Sequence, residues 1–366
     1  MSGICPGCER RSWLLAKLGV PLDFRARELT RFWSILQLPD RELIEALGGR
    51  RRAHLHAAYA QWEAMPTQAG GDVETVCRHH RTYPVSLYES ALAPHALSVS
   101  GGVERLTGML DEKVVAIVGT RRASDYGMET ARGLARGLAA CGVTVASGLA
   151  EGIPAAVHSG ALEADGATLT VMAGGVERCS PAWCRGLYRR ITGGGCAISE
   201  TLSSPRVHSW WQPARARVLA LLAQLVIVVE ADEHPWELAC ADVAQMLGRP
   251  VGAVPGRISS PASRGTNSLL VSGAQLVRNA QDALDLLYGV GMRQARDSSV
   301  ESLELEPRLR TVLERVGDGE DTVAKLTARG FKSADMALAL TELELQGLLG
   351  RGDGGRYISS GGAPAK

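Results

Sequence analysis

Val114-Val115-Ala116-Ile117-Val118, running into Gly119-Thr120-Arg121-Arg122-Ala123-Ser124, is the stretch on which the fold turns. Five consecutive apolar residues without polar alternation describe a short strand buried on both faces, and the polar, glycine-led segment after it describes a turn. A helix is expected next, over 126–140. The unit then repeats. Val143-Thr144-Val145-Ala146 precedes a helical pattern near 155–164, and 167–173, Cys196-Ala197-Ile198-Ser199 and Leu225-Val226-Ile227-Val228-Val229 read as further strands. The last, Val251 to Val254, follows a helix near 238–247. Apolar strands spaced by amphipathic helices predict a doubly wound α/β architecture, a parallel sheet covered on both faces, for a core over 111–288.

Working outward, residues 1–66 carry helical periodicity (Trp13, Leu14, Leu15, Leu18; then Leu29, Phe32, Trp33, Leu36) and form a small helical N-terminal domain. Within it Asp40 is the expected N-cap of a short helix. Residues 67–110 read as a connecting extension and 289–305 as a polar linker. Beyond the linker, 308–316, 321–329 and 333–349 are helical, and Gly350-Arg351-Gly352-Asp353-Gly354-Gly355-Arg356-Tyr357-Ile358 is a glycine-rich turn between short strands. Three helices and a hairpin over 306–358 give the winged-helix pattern, and 359–366 read as a disordered tail.

The chain has 366 residues, 45% of them apolar and 22% charged, an ordinary globular balance. No run of about 18 apolar residues predicts a membrane span. Cys5 and Cys8 precede charged residues, unlike a secretory signal, and eight scattered cysteines suit a reducing cytoplasm, where the protein is expected to reside. The net charge of +1 excludes a generally basic, nucleic-acid-coating surface. Any anion site must therefore be a local cluster of arginines.

In an open α/β sheet, ligands bind at the carboxyl ends of the strands, near the switch in strand order. The 119–124 loop lies at such an end. A glycine there admits close backbone approach, helix-start N–H groups favour an anion, and a guanidinium binds phosphate through two hydrogen bonds. The alternative is an ordinary β-to-α turn with solvated arginines. A dinucleotide is disfavoured: G-x-G-x-x-G is missing, and the second strand ends in Ala146-Ser147-Gly148 rather than in the acid that grips a ribose. Glu200, Glu230, Asp232 and Glu233 follow strands and with a metal could hydrolyse a phosphodiester, but such carboxylates commonly cap helices or bind arginines. No catalytic residue, G-x-S-x-G elbow or cofactor is assigned. Cys5-Pro6-Gly7-Cys8 has metal-ligand spacing, and Cys77 with His80 would complete a tetrahedral zinc set; free thiols are the alternative.

These motifs, taken in order, resemble the DprA/Smf family of DNA-processing proteins. Tyr83-Pro84-Val85-Ser86-Leu87 is similar to the family's Y-P-x-x-L, Val118-Gly119-Thr120-Arg121 to V-G-S-R, and Ser147-Gly148-Leu149-Ala150-Glu151-Gly152-Ile153 to S-G-x-A-x-G-I, with His158 at a family histidine. Val228-Val229-Glu230-Ala231, Gly248-Arg249-Pro250-Val251 through Val254-Pro255-Gly256, and Ser263-Arg264-Gly265-Thr266-Asn267 continue the match. Leu343-Glu344-Leu345-Gln346-Gly347 with Gly354-Gly355-Arg356-Tyr357 resembles the winged-helix ending.

The resemblance implies a Rossmann-like core with a SAM-like N-terminal domain and a homodimer. It implies a protein that binds and protects single-stranded DNA and loads a RecA-type recombinase during transformation or recombination, with no enzymatic step. It carries over, as DNA- or phosphate-binding residues, Gly119, Thr120, Arg121, Arg122, Ser147, Gly148, Arg215, Arg217 and Asn267. The chain departs from the family pattern at Pro154, Ser180-Pro181, Ala216, Pro235 and Trp236. Trp210 and Trp211 are candidates for stacking on bases, against burial in the core. The alternative functions are a phosphoribohydrolase of the lysine-decarboxylase-like group, and a paralogue that kept the fold as an interaction scaffold.

Overall fold

The computed structural model describes residues 3–63, 73–177, 179, 182–202, 208–233, 235–295, 306–317, 319–327, 333–346, 348–352 and 355–359. Most of the expected linker, the Ser180-Pro181 departure and the tail beyond Ser359 lie outside the described residues, as do the side chains of Pro235 and Trp236.

Among the described residues, nine strands form one sheet: β1 (Val73–Cys77), β2 (Ala96–Ser100), β3 (Val114–Val118), β4 (Thr144–Gly148), β5 (Thr168–Val171), β6 (Cys196–Ser199), β7 (Leu225–Val228), β8 (Val251–Ala253) and β9 (Gln275–Leu276). Their spatial order is β1-β2-β6-β5-β4-β3-β7-β8-β9. The pairs from β6 to β9 are parallel, while β1 and β2 join antiparallel. The architecture is thus Rossmann-like α/β, and the strand order turns back between β3 and β7. Residues 73–100, which read as a connection, supply the two strands of one edge.

The apolar runs are continuous because each strand feeds two cores. Val114, Ala116, Val226 and Val228 face a cluster that includes the helix Trp211–Leu222, whereas Val115, Ile117, Leu225 and Ile227 face the helices Asp125–Ala140 and Ile153–Glu163. The N-terminal helices bury Leu14, Leu18, Leu22, Phe32, Leu43 and Ile44 in the first of these clusters. Asp23 fixes them to the core. Its carboxylate accepts hydrogen bonds from the Trp210 amide (2.9 Å) and the Ser209 hydroxyl (2.9 Å), and His208 Nδ1 lies 3.0 Å away. These bonds outweigh the upward push of burial and hold the Asp23 carboxyl below its usual range.

Asp40 does not cap its helix. The helix Asp40–Leu47 follows Pro39, and the Asp40 carboxylate instead pairs with buried Arg11 (2.5 Å) and accepts the Tyr59 hydroxyl (2.6 Å). Arg11 also donates to the Leu36 and Leu38 carbonyls, so one buried guanidinium ties three segments together.

The C-terminal unit, 296–366, is described by itself. It has helices Pro307–Gly317, Val323–Thr327 and Ser333–Leu345, then an antiparallel hairpin of β10 (Leu349–Gly352) and β11 (Arg356–Ser359), around a separate apolar cluster. No helix among the described residues is long and apolar enough to cross a membrane.

Candidate nucleic-acid interface

The loops after β3, β4, β5 and β6 meet at the carboxyl edge of the sheet, as the parallel topology requires. The loop after β3 folds onto the end of β7. The Thr120 amide donates to the Glu230 carbonyl (2.7 Å), and the Thr120 hydroxyl accepts the Arg122 amide (3.2 Å). Gly119 is required by packing: a Cβ there would come within 2.7 Å of the Glu230 carbonyl and 2.8 Å of Ile153. The expected backbone donor of Thr120 is therefore already used inside the protein.

The same holds for the start of the helix Asp125–Ala140. Ser124 is its N-cap, accepting the Gly127 amide (3.1 Å), and buried Glu230 accepts both the Ser124 amide (2.8 Å) and the Ser124 hydroxyl (2.5 Å). The anion favoured at this helix N-terminus is the protein's own carboxylate. Sequence reasoning offered that place to a phosphate, and the fold gives it to Glu230.

The side chains of Ser147 and Asn267 are likewise used inside the protein. The Ser147 hydroxyl lies within the sheet and donates to the Ile117 carbonyl (2.7 Å). Asn267 clasps the Gly256 backbone, donating to its carbonyl (3.1 Å) and accepting its amide (3.3 Å). Both side chains shape the edge. Arg217, expected in the pocket, is buried and pairs with Glu200. Trp210 and Trp211 are also buried; Trp210 packs against Phe32 (6.3 Å between ring centroids) and Trp211 edge-on against His208 (5.5 Å), so neither ring is free to stack on a base.

Gly148 and the remaining arginines are different. The Arg215 guanidinium lies across Gly148, where a Cβ would come within 2.7 Å of its Nη1. Arg215 is partly buried, its Nε makes no hydrogen bond, and among the described residues no carboxylate pairs with it. Burial draws its guanidinium down to about 10; the Cys240 thiol opposes this, and the nearby Arg121 cation adds to it. Arg121 and Arg122 are exposed. A narrow crevice beside Arg215 is lined by Met172, Ser199, Thr201 and Trp211.

The loop after β4 is held against the loop after β3. Gly152 has φ +69°, and a Cβ there would lie 2.6 and 2.7 Å from the Arg121 and Thr120 carbonyls. Pro154 occupies the first turn of the next helix, where its missing N–H costs no helical bond. His158, fully buried, fixes Gly148 from below. The Gly148 carbonyl can only accept, so His158 Nε2 carries the proton (3.0 Å), while Nδ1 lies 2.8 Å from the Thr168 hydroxyl, whose own proton goes to the Val145 carbonyl (3.0 Å). Trp183, which sequence reasoning missed, is 52% exposed on the turn after β5, next to Cys184. Burial pushes the Cys184 thiol up to about 11 and Cys179 and Glu151 reinforce this, while Arg121 acts in the opposite direction and so lies within electrostatic reach. No motif in the sequence singles out Trp183, which lies in the 3-10 turn Ala182–Cys184.

The family model described as DNA recombination-mediator protein A matches residues 74–288. A putative DNA processing protein DprA of Mycobacterium tuberculosis is 37% identical over 230 residues, 62% of this chain and 57% of that protein, so the chain spans little more than half the length of that relative. Protein Smf of Escherichia coli is 31% identical over 281 residues, 75% of this chain and 74% of its own. The crystal structure of DNA processing protein A from Streptococcus pneumoniae superposes with a TM-score of 0.60 at 28% identity, covering 77% of this chain and 98% of that one. A Helicobacter pylori DNA processing protein A, whose structure was described for its single-stranded DNA binding mode, gives a TM-score of 0.51 at 28% identity over 56% of this chain and 92% of its own.

Proposed function

Since the chain belongs to the DNA recombination-mediator protein A family, we propose that it binds single-stranded DNA at the carboxyl edge of its sheet, without cutting it, and delivers the strand to a RecA-type recombinase as a homodimer. One observation carries the binding site: Arg215, a partly buried cation with no carboxylate partner among the described residues, lies on bare Gly148 within electrostatic reach of Arg121. Burying an unpaired charge is unfavourable, and a phosphate oxygen offsets that cost where no protein carboxylate does. Trp183 offers an aromatic face to a neighbouring base.

The absence of cleavage is our reading of how the carboxylates are used. Glu230 is taken by Ser124, Glu200 by Arg217, and Glu233 accepts the Ser268 hydroxyl (2.9 Å). We read the C-terminal unit as a winged helix that meets protein rather than DNA, because 306–358 carry 8 Lys/Arg against 9 Asp/Glu.

The test is oligonucleotide binding by fluorescence anisotropy over a salt series. Arg215→Ala and Arg121→Ala should each weaken binding and reduce the salt slope by about 0.7, one phosphate on a single strand. Truncation after residue 300 should leave affinity within a few fold, and labelled strands with Mg²⁺ or Mn²⁺ should stay intact. Unchanged affinity and slope in both arginine variants would sink the proposed site.

A further inference from the structure

We infer that Cys5, Cys8, Cys77 and His79 form a tetrahedral zinc site that clasps the N-terminal helices to the edge strand of the sheet. One ligand atom from each of the four lies within 4.8 Å of every other. His79 Nδ1 is 3.3 Å from both the Cys5 and the Cys8 sulfur, and the Cys5 amide donates to the Cys77 sulfur at 3.4 Å. Zinc bonds of about 2.3 Å to sulfur and 2.0–2.1 Å to nitrogen place tetrahedral ligands about 3.6–3.8 Å apart, the spacing this cluster approaches. All three cysteines are free thiols, so no disulfide accounts for their convergence.

Local backbone explains how two distant segments build one site. Cys5 is the N-cap residue of the helix Pro6–Lys17, in extended conformation, and Cys8 is its third helical residue. Side chains at these two positions face each other, the geometry that capping boxes exploit. Cys77 ends β1 with its side chain buried, and the following turn closes when the His80 amide donates to the Cys77 carbonyl (2.8 Å), leaving His79 on the open side. His80, the sequence candidate, is used otherwise. Its Nδ1 lies 2.8 Å from the Thr82 hydroxyl, and its ring packs over Gly3. The correct spacing is Cys-x-His, not Cys-x₂-His.

A clasp here has a definite mechanical role. The Gly3 amide donates to the Thr75 carbonyl (2.8 Å) and the Cys77 amide to the Gly3 carbonyl (3.2 Å), so the chain start pairs with the outer side of β1. That short pairing covers an edge that would otherwise present unpaired backbone groups. Among the described residues, the small cluster of Cys8, Cys77 and Ala96, with Ile4, Cys5 and Leu202 around it, packs beneath this corner. A metal bridging the helix start and the strand end secures a junction that has little apolar packing of its own.

The test uses the untagged full-length chain, purified without chelator and titrated with Zn²⁺. Elemental analysis should find one zinc per chain, and Co²⁺ exchange should give the intense sulfur-to-cobalt charge-transfer band of a tetrahedral thiolate site. Cys5→Ser/Cys8→Ser should lose the metal, His79→Ala should hold it at least tenfold more weakly, His79→Cys should restore it, and His80→Ala should bind as the parent does. Chelation should lower the melting temperature by about 5 °C or more. Well under one equivalent on the zinc-titrated parent, or full retention in Cys5→Ser/Cys8→Ser, would overturn the site. If that double variant does not fold, the parent's metal content and cobalt spectrum decide alone.

Discussion

The carboxyl edge of the sheet has two halves that read alike in sequence and behave differently in space. On the β3–β7 side the polar groups examined by the motifs are partnered: Thr120 with the Glu230 backbone, Ser124 with the Glu230 carboxylate, Asn267 with Gly256. Toward β4 and β5, Arg215 lies across Gly148, with the exposed side chains of Arg121, from the tip of the β3 loop, and of Trp183, from the turn after β5. The first half builds the turn and the second is chemically open. A glycine- and arginine-rich motif therefore mixes residues that hold a loop in place with residues that meet a ligand. Only their hydrogen bonds separate the two.

The sharpest test lies within one helix turn. Arg217→Ala leaves Glu200 as a half-buried, unpaired charge and should cost about 3 kcal/mol of stability in urea unfolding. Arg215→Ala, two residues away, removes a cation with no carboxylate partner among the described residues and should leave stability unchanged or raised while DNA affinity falls. Equal stability losses in both would erase the distinction between the halves.

Acid should act next most strongly, through His158 beneath Gly148. Burial lowers His158 from the ordinary 6.5 to about 4, with the Gly148 carbonyl opposing. Between those values the unfolded chain binds a proton that the folded chain refuses. Stability is thus full above pH 6.5 and falls as pH drops toward 4, by about 3 kcal/mol from this residue. Burial brings His95 to about 4 as well, with Arg11 and Arg78 adding to it, so His158→Gln should flatten part of the slope. An unaltered pH profile in that variant would show that His158 is not the group responsible.

The smallest effect is expected at Asn267. Losing its two bonds to Gly256 should cost about 1–2 kcal/mol, with the salt slope of DNA binding preserved. A slope reduced by a full phosphate contact would return Asn267 to the interface.

Much of this was legible in the chain itself. Val114 to Val118 could only be a strand covered on both faces, because a run without alternation must find apolar partners on each side, and it does. The two antiparallel strands Val73–Cys77, at the edge, and Ala96–Ser100, next to it, were not, since their short mixed sequences become strands only when an existing sheet offers them hydrogen bonds. Local sequence likewise placed Cys5 with Cys8, but the choice of His79 over its neighbour depended on how one turn closes across 71 residues of chain.

Periodicity and composition determined the layers, the parallel order and the need for a local arginine cluster, because burial and charge act on every residue in the same way. Tertiary structure alone decided which arginine has a counter-ion, which tryptophan has a free face and which carboxylate closes a helix. Each of those depends on a partner brought in from a distant segment, and pairing energies fall within a few ångströms.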